Sequence, residues 1–157
     1  MNKNQSKSSL IIYSIFVLVS LVIIIDFILP GNVVTDEIID VTSEQQQYYN
    51  AGGNSHYSHK VFTTKHHFSV AEDFAESIQE HEKIEYSVSR IFKEVNWYRL
   101  HTVENKGVYS LRIISGLIIP LIMIIGILVA YGFKKKISTL LFVLQVLLIA
   151  DLAFLIL

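Results

Sequence analysis

The sequence LIIYSIFVLVSLVIIIDFIL, residues 10–29, decides how the rest of the chain is read. It carries no charge before Asp26, and Pro30 and Gly31 end it. At about 1.5 Å per residue, a helix of this length covers roughly 30 Å, the thickness of a bilayer's hydrocarbon layer. Lys3 and Lys7 precede it, as they would in a cleavable signal peptide. Against cleavage stand the length of the apolar run and the lack of a small-x-small site across residues 26–31. A retained signal anchor is the better reading.

Two further stretches have the same character. Residues 111–133 hold no charge after Arg112, and Gly116, Pro120 and Gly126 interrupt them, so a kink is expected near Pro120. Residues 137–157 carry one charge, Asp151. These two stretches make a helical hairpin around a short lysine-bearing loop. A chain of 157 residues cannot cover three such elements with its own polar surface, so a bilayer must do so. Charged residues amount to 17% and mean hydropathy is +0.45. Soluble domains hold about 25% charged residues.

The flanks give orientation. Lys3 and Lys7 lie before the first span, and Lys134, Lys135 and Lys136 lie between the second and third, with no acidic residue in either segment. Lysine and arginine close to span ends stay in the cytoplasm. Residues 1–9 and the turn at 134–136 are therefore expected inside, and residues 31–110 outside. That segment holds 12 Asp/Glu against 7 Lys/Arg, a net charge of 7 − 12 = −5 with neutral histidines. The fold class expected is an integral membrane protein. It has three transmembrane α-helices (10–29, 111–133 and 137–157) and a small mixed α+β extracytoplasmic domain at 31–110. The composition, rich in Ile, Lys, Ser and Tyr, fits many bacterial proteins, and the location expected is a bacterial inner membrane.

Within 31–110, β-branched residues alternate with polar ones at 33–48, a Gly/Asn turn covers 49–54, and a second strand follows at 56–64. Ser69 and Glu72 have capping-box spacing, which predicts a helix running to about residues 81–83 with Ala71, Phe74, Ala75 and Ile78 on one face. Strands are expected at 84–89 and 94–103 and a turn at 105–107. The order is β-β-α-β-β, arranged as a mixed domain or as a partly open barrel carrying a helix.

There is no cysteine, which excludes disulfides, thiol catalysis, cysteine-ligated zinc and acyl-cysteine anchoring. All six histidines fall in 31–110. His56 and His59 point to opposite faces of a strand, and the adjacent His66 and His67 also diverge if extended. That spacing is poor for one metal site, and no HExxH motif is present, so no metal or other cofactor is expected. A structural or exposed role is the plain reading of these four histidines, and ligand binding or pH sensing the sharper one.

Asp26 and Asp151 say more, because a carboxylate inside a bilayer must be paired, protonated or hydrogen-bonded. Both should lie toward the outer end of the bundle, where Arg112 enters. An equal reading has Asp26 and Arg112 snorkelling to the interface. Gln145 lies deeper and is placed for an interhelical hydrogen bond. Phosphate loops, nucleophile elbows and dinucleotide fingerprints are absent, and three lysines are too few for a nucleic-acid surface. The expected partners are membrane lipids, other integral membrane subunits and a periplasmic protein. The expectation is a non-enzymatic accessory, assembly or stabilising subunit of a membrane complex. The alternative is an extracytoplasmic sensor or ligand-binding protein responsive to metal or pH.

Overall fold

The computed structural model describes residues 3–47, 55–132 and 138–156, and among these the side chains of 9–44, 57–131 and 138–156. The lysines at 134–136 and the glycine-rich turn expected at 49–54 lie outside that set. The chain forms two compact units, residues 1–29 with 113–157, and residues 30–112.

The first unit is helical. It comprises α1 (Lys3–Ile28), a middle helix and α5 (Ser138–Ile156). Its part of the middle helix begins at Ile113, the last residue of α3 (Ser110–Ile113), and runs through a π-helical turn (Ile114–Ile118) and α4 (Ile119–Gly132). By length and composition, three helices are apolar enough to cross a membrane: Ser9–Ile28, Ser110–Tyr131 and Ser138–Ile156. Such architecture is that of a membrane protein. The expected disturbance near Pro120 takes a definite form, a widened turn just before it. The Ile119 amide donates to the Ile114 carbonyl five residues back. Pro120 has no N–H to give, so the Ser115 carbonyl must be met by something other than the helix's own amide ladder.

Small residues set how closely the helices pack. A Cβ on Gly116 would stand 2.5 Å from Cδ2 and 2.8 Å from Cγ of Phe27, so α1 lies almost on the middle helix there. A Cβ on Gly126 would stand 2.8 Å from Leu144 Cδ1, where α5 approaches. Leu141, Leu148 and Leu155 repeat every seven residues along α5 and are all buried, the spacing of a helix seam.

The second unit is a five-stranded antiparallel sheet in the order β3-β2-β1-β4-β5, formed by β1 (Asn32–Gln47), β2 (Ser55–Thr63), β3 (His67–Val70), β4 (Lys83–Val88) and β5 (Val95–Leu100). A bulge at Ile39 in β1, between the pairs Ile38↔Thr63 and Asp40↔Phe62, increases local twist. The sheet curls around a core of Ile38, Val61, Phe68, Val70, Ile84, Tyr86, Val88 and Tyr98, with Ile78 and the partly buried Phe74 brought in by α2 (Glu72–Ser77). Curling is visible in the rings: Phe68 of β3 lies 4.9 Å from Tyr86 and 6.0 Å from Tyr98 of β5, the opposite edge strand. Each large side chain so buried contributes about 1.5–3 kcal/mol.

Two local expectations are corrected. Ser69 does not cap a helix: it lies in β3, paired with Lys60 of β2, and the helix starts after Ala71 with no side-chain cap. The helix also stops at Ser77, because Ile78 turns extended and its side chain enters the core.

Candidate functional site

In the helical unit, the residues singled out from sequence occupy the packed faces. Asp26 is 1% exposed and Asp151 6%, while Ser20 (0%) and Ser115 (3%) are also buried and Gln145 is half-buried. α1 runs antiparallel to the middle helix, since Phe27 meets Gly116 while Leu10, Tyr13 and Val17 share a groove with Ile127 and Tyr131. α5 is antiparallel to it as well, with Leu141 and Leu144 beside Gly126. Counting along α1 from the Phe27 contact brings Asp26 alongside the π turn, while Asp151 lies on α5 seven residues beyond Leu144. Ser20 and Gln145 fall deeper, near the level of Met123. The Ser20 hydroxyl has no hydrogen-bond partner among the described residues. The Asp26 side chain thus enters the helical unit where the backbone ladder of its middle helix is disturbed. π turns of this kind recur at functional positions.

Arg112 belongs to the sheet unit, where it is 4% exposed and its Nε donates to Asn96 Oδ1 at 2.9 Å. Asn96 is the extra residue where β5 slips against β4, between the pairs Ser87↔Trp97 and Val88↔Val95. The bulge turns this amide toward the guanidinium.

The four candidate histidines separate. His56 pairs through its backbone with Gln46, and its side chain lies outside the described residues. His59 is half-buried, with Nε2 enclosed and without a hydrogen-bond partner among the described residues. His67 is exposed and stacks on Phe62 at 5.8 Å. His66 turns inward, its Nδ1 at 2.8 Å from the Tyr86 hydroxyl. Among the described residues, no three His, Cys, Asp or Glu side chains are grouped to hold a metal ion.

His66 leads to a polar cluster that the sequence did not reveal. The β2–β3 turn closes through Thr63, whose amide (2.8 Å) and hydroxyl (2.9 Å) both donate to the His66 carbonyl. Asp36 of β1 clasps this turn. It accepts from the Thr64 hydroxyl, the Lys65 amide at 3.1 Å and the Glu37 amide at 3.0 Å. Tyr86 of β4 reaches in from the core, and its hydroxyl lies 3.3 Å from both Asp36 Oδ2 and Thr63 Oγ1. Partial burial alone would raise the Asp36 pKa, but hydrogen bonds from Thr64, Glu37, Thr63 and Lys65 outweigh it and hold the carboxyl below its ordinary 3.8. Burial, with the Asp36 charge nearby, raises the Tyr86 phenol above 10.0, so it remains a protonated donor. These partners lie up to 50 residues apart in sequence, and no local motif announces them.

On the other side of the sheet unit, an open groove of about 380 Å³ lies between α2 and the segment following β5, floored by Phe74, Tyr98 and Leu100 with Asp73 and Lys106 at its margins. Tyr98 fixes its floor, accepting from the Ala71 amide at 2.8 Å and packing against Phe74 at 4.6 Å. In the helical unit a groove of about 430 Å³ runs between α1 and α4, apolar along Val17, Leu18, Leu21 and Leu128 and hydroxyl-bearing at Tyr13, Ser14 and Tyr131.

Fold and site together define a class: a membrane-type chain with three long apolar helices and a separate unit built on a curled antiparallel sheet. Its relatives do not narrow that class, since no family model, curated protein or solved structure matches the chain.

Proposed function

We propose that the chain is a non-enzymatic accessory, assembly or stabilising subunit of a bacterial inner-membrane protein complex. In this reading its three helices span the bilayer, the N-terminus is cytoplasmic and residues 31–110 are periplasmic. The observation that carries it is the groove between α1 and α4. Its apolar floor receives the side-chain ridge of a neighbouring helix. The hydroxyls of Tyr13, Ser14 and Tyr131 offer the short-range hydrogen bonds that hold helices together in lipid, where apolar contact by itself discriminates little. The buried carboxyl side chains of Asp26 and Asp151 support the same reading, because acidic groups within apolar helices are retained where helices pack through polar contacts.

A photo-crosslinking residue placed at Leu18 or Leu128 is expected to capture another integral membrane chain in native membranes. The same residue at Ile149, on an exposed face of α5, serves as the reference. Lipid adducts alone at Leu18 and Leu128 would sink the proposal.

A second reading, an extracytoplasmic sensor of pH or metal, is favoured by the contact between His66 Nδ1 and the Tyr86 hydroxyl. In that case the Thr64 and Lys65 amide resonances of the full-length protein should move when the pH is stepped between about 5 and 8, the range in which histidine side chains in general act as switches, or when Zn²⁺ is added. Resonances that stay fixed through that range, and also on adding Zn²⁺, would dispose of it.

A further inference from the structure

β1 is covered unevenly. On one side β4 pairs with it over residues 32–37, and two bonds extend the ladder to Ile38: its amide donates to the Glu82 carbonyl (3.0 Å) and its carbonyl accepts from the His81 amide (2.8 Å). From residue 39 to 47, no described strand runs along that edge, although β2 continues on the other side as far as Gln47↔Ser55. β3 reaches β2 only at residues 59–62. The far half of the β1–β2 hairpin is therefore a two-stranded ribbon, a structure marginal when left alone in water.

The direction of the unused backbone groups follows from alternation. In antiparallel pairs, successive residues face the partner strand and away from it in turn. Thr63 bonds toward β3, and Val61, two residues before it, faces the same way. Val41, paired with Val61, thus points its N–H and C=O out of the β1–β2 ladder, and so do Ser43, Gln45 and Gln47. An edge of this length is a template for another strand unless something blunts it.

Charge identifies what fits. β1 carries Asp36, Glu37, Asp40 and Glu44, and no Lys or Arg occurs between residues 31 and 59. Asp40, Thr42 and Glu44 share the outer face, and both carboxylates are exposed. Lys60 lies across from Thr42 on the β2 side, which leaves the open side of both carboxylates to an incoming chain. A second copy fits less well: antiparallel pairing centred on Thr42 sets Asp40 directly opposite Glu44 of the other copy, a destabilising like-charge pair, and pairing centred on Ser43 brings no cation to either carboxylate. A strand with Lys or Arg at alternate positions neutralises both.

We propose that the open edge of β1, residues 39–47, receives an extended basic segment of a partner protein by strand addition. Main-chain bonds to Val41, Ser43 and Gln45 give affinity, and Asp40 and Glu44 give selectivity. This rests on reading the chain as a subunit of a complex.

The test is amide hydrogen exchange on the full-length protein in nanodiscs, with three probes: a short peptide alternating lysine and valine, its glutamate–valine counterpart, and the lysine peptide with its backbone amides methylated. The lysine peptide should slow exchange at Val41, Ser43 and Gln45 by about tenfold or more, and the other two should not. Ser43→Pro removes one outward donor without touching the β1–β2 ladder. It should abolish the effect while Asp40, Thr42 and Glu44 keep their protection, which shows that the variant is folded. No slowing with any peptide, equal slowing with lysine and glutamate peptides, or protection that rises with protein concentration alone would each overturn the inference. A silent edge with Leu18 crosslinks intact overturns it and leaves the subunit reading standing. Lipid adducts alone at Leu18 and Leu128 overturn that reading instead.

Discussion

Asp36 illustrates how one side chain can organise a turn that the sequence places far away. Its two oxygens hold the Thr64 hydroxyl, two backbone amides and the Tyr86 hydroxyl, so the β2–β3 turn depends on a charge supplied by β1. Because the folded carboxyl is held below 3.8, it contributes stability at neutral pH that is lost as pH falls through its lowered value. Asp36→Asn should therefore lower the Tm of the sheet unit at pH 7, and the gap from the parent should close as the pH is taken below 3.8. Thermal melts at a series of pH values check this, and a gap that widens in acid would contradict it. Tyr98→Phe removes the oxygen that accepts from the Ala71 amide where β3 gives way to α2, and should cost about 1–2 kcal/mol in denaturant unfolding. Burial raises the Tyr98 phenol above 10.0, so this acceptor stays a neutral hydroxyl over the working range.

At the scale of elements, local patterning and tertiary pairing disagree in one place. Ser69 and Glu72 have the spacing of a capping box, yet Phe68 and Val70 alternate with His67 and Ser69, and that period of two decides the outcome. Pairing with β2 buries Phe68 and Val70 against Tyr86 and Tyr98, a gain larger than one cap supplies. The alternation was present in the sequence but spans only four residues, too few to outweigh a helix signal read locally. β1, β2, β4 and β5 were readable because their alternation is longer. In the middle helix, Pro120 announced a disturbance, but its form as a π turn depends on which amides can reach which carbonyls. The two close-packed glycines differ in tolerance. Gly116→Ala would press on the ring and Cβ of Phe27, which have little freedom to move, whereas Gly126→Ala meets the far end of the flexible Leu144. Gly116→Ala should cost about 1–3 kcal/mol and Gly126→Ala much less, measured by thermal aggregation of the protein in detergent.

For the molecule as a whole, the three long apolar helices were legible because length and apolarity are properties of a sequence window and need no knowledge of folding. The seating of Asp26 beside a π turn was not, since depth along a helix depends on which residues of its neighbour it touches. The Asp36, Tyr86 and His66 cluster was hidden for the same reason. Orientation can be tested directly, because the chain has no cysteine. Thr42→Cys should react with a membrane-impermeant maleimide on intact spheroplasts, whereas Lys135→Cys should react only after permeabilisation. The reverse pattern would invert the proposed topology.

Trp97 is the chain's single tryptophan. It lies in β5 with the Lys106 ammonium 4.1 Å from its ring centre and the Arg99 guanidinium 5.9 Å away, Arg99 being tethered in turn to Glu85. Indole emission therefore comes from the sheet unit alone and responds to the cations held over its face. Followed beside the circular dichroism of the helices, it gives each half of the chain its own optical signal, so that melting of the sheet can be timed while the membrane-type helices stay intact.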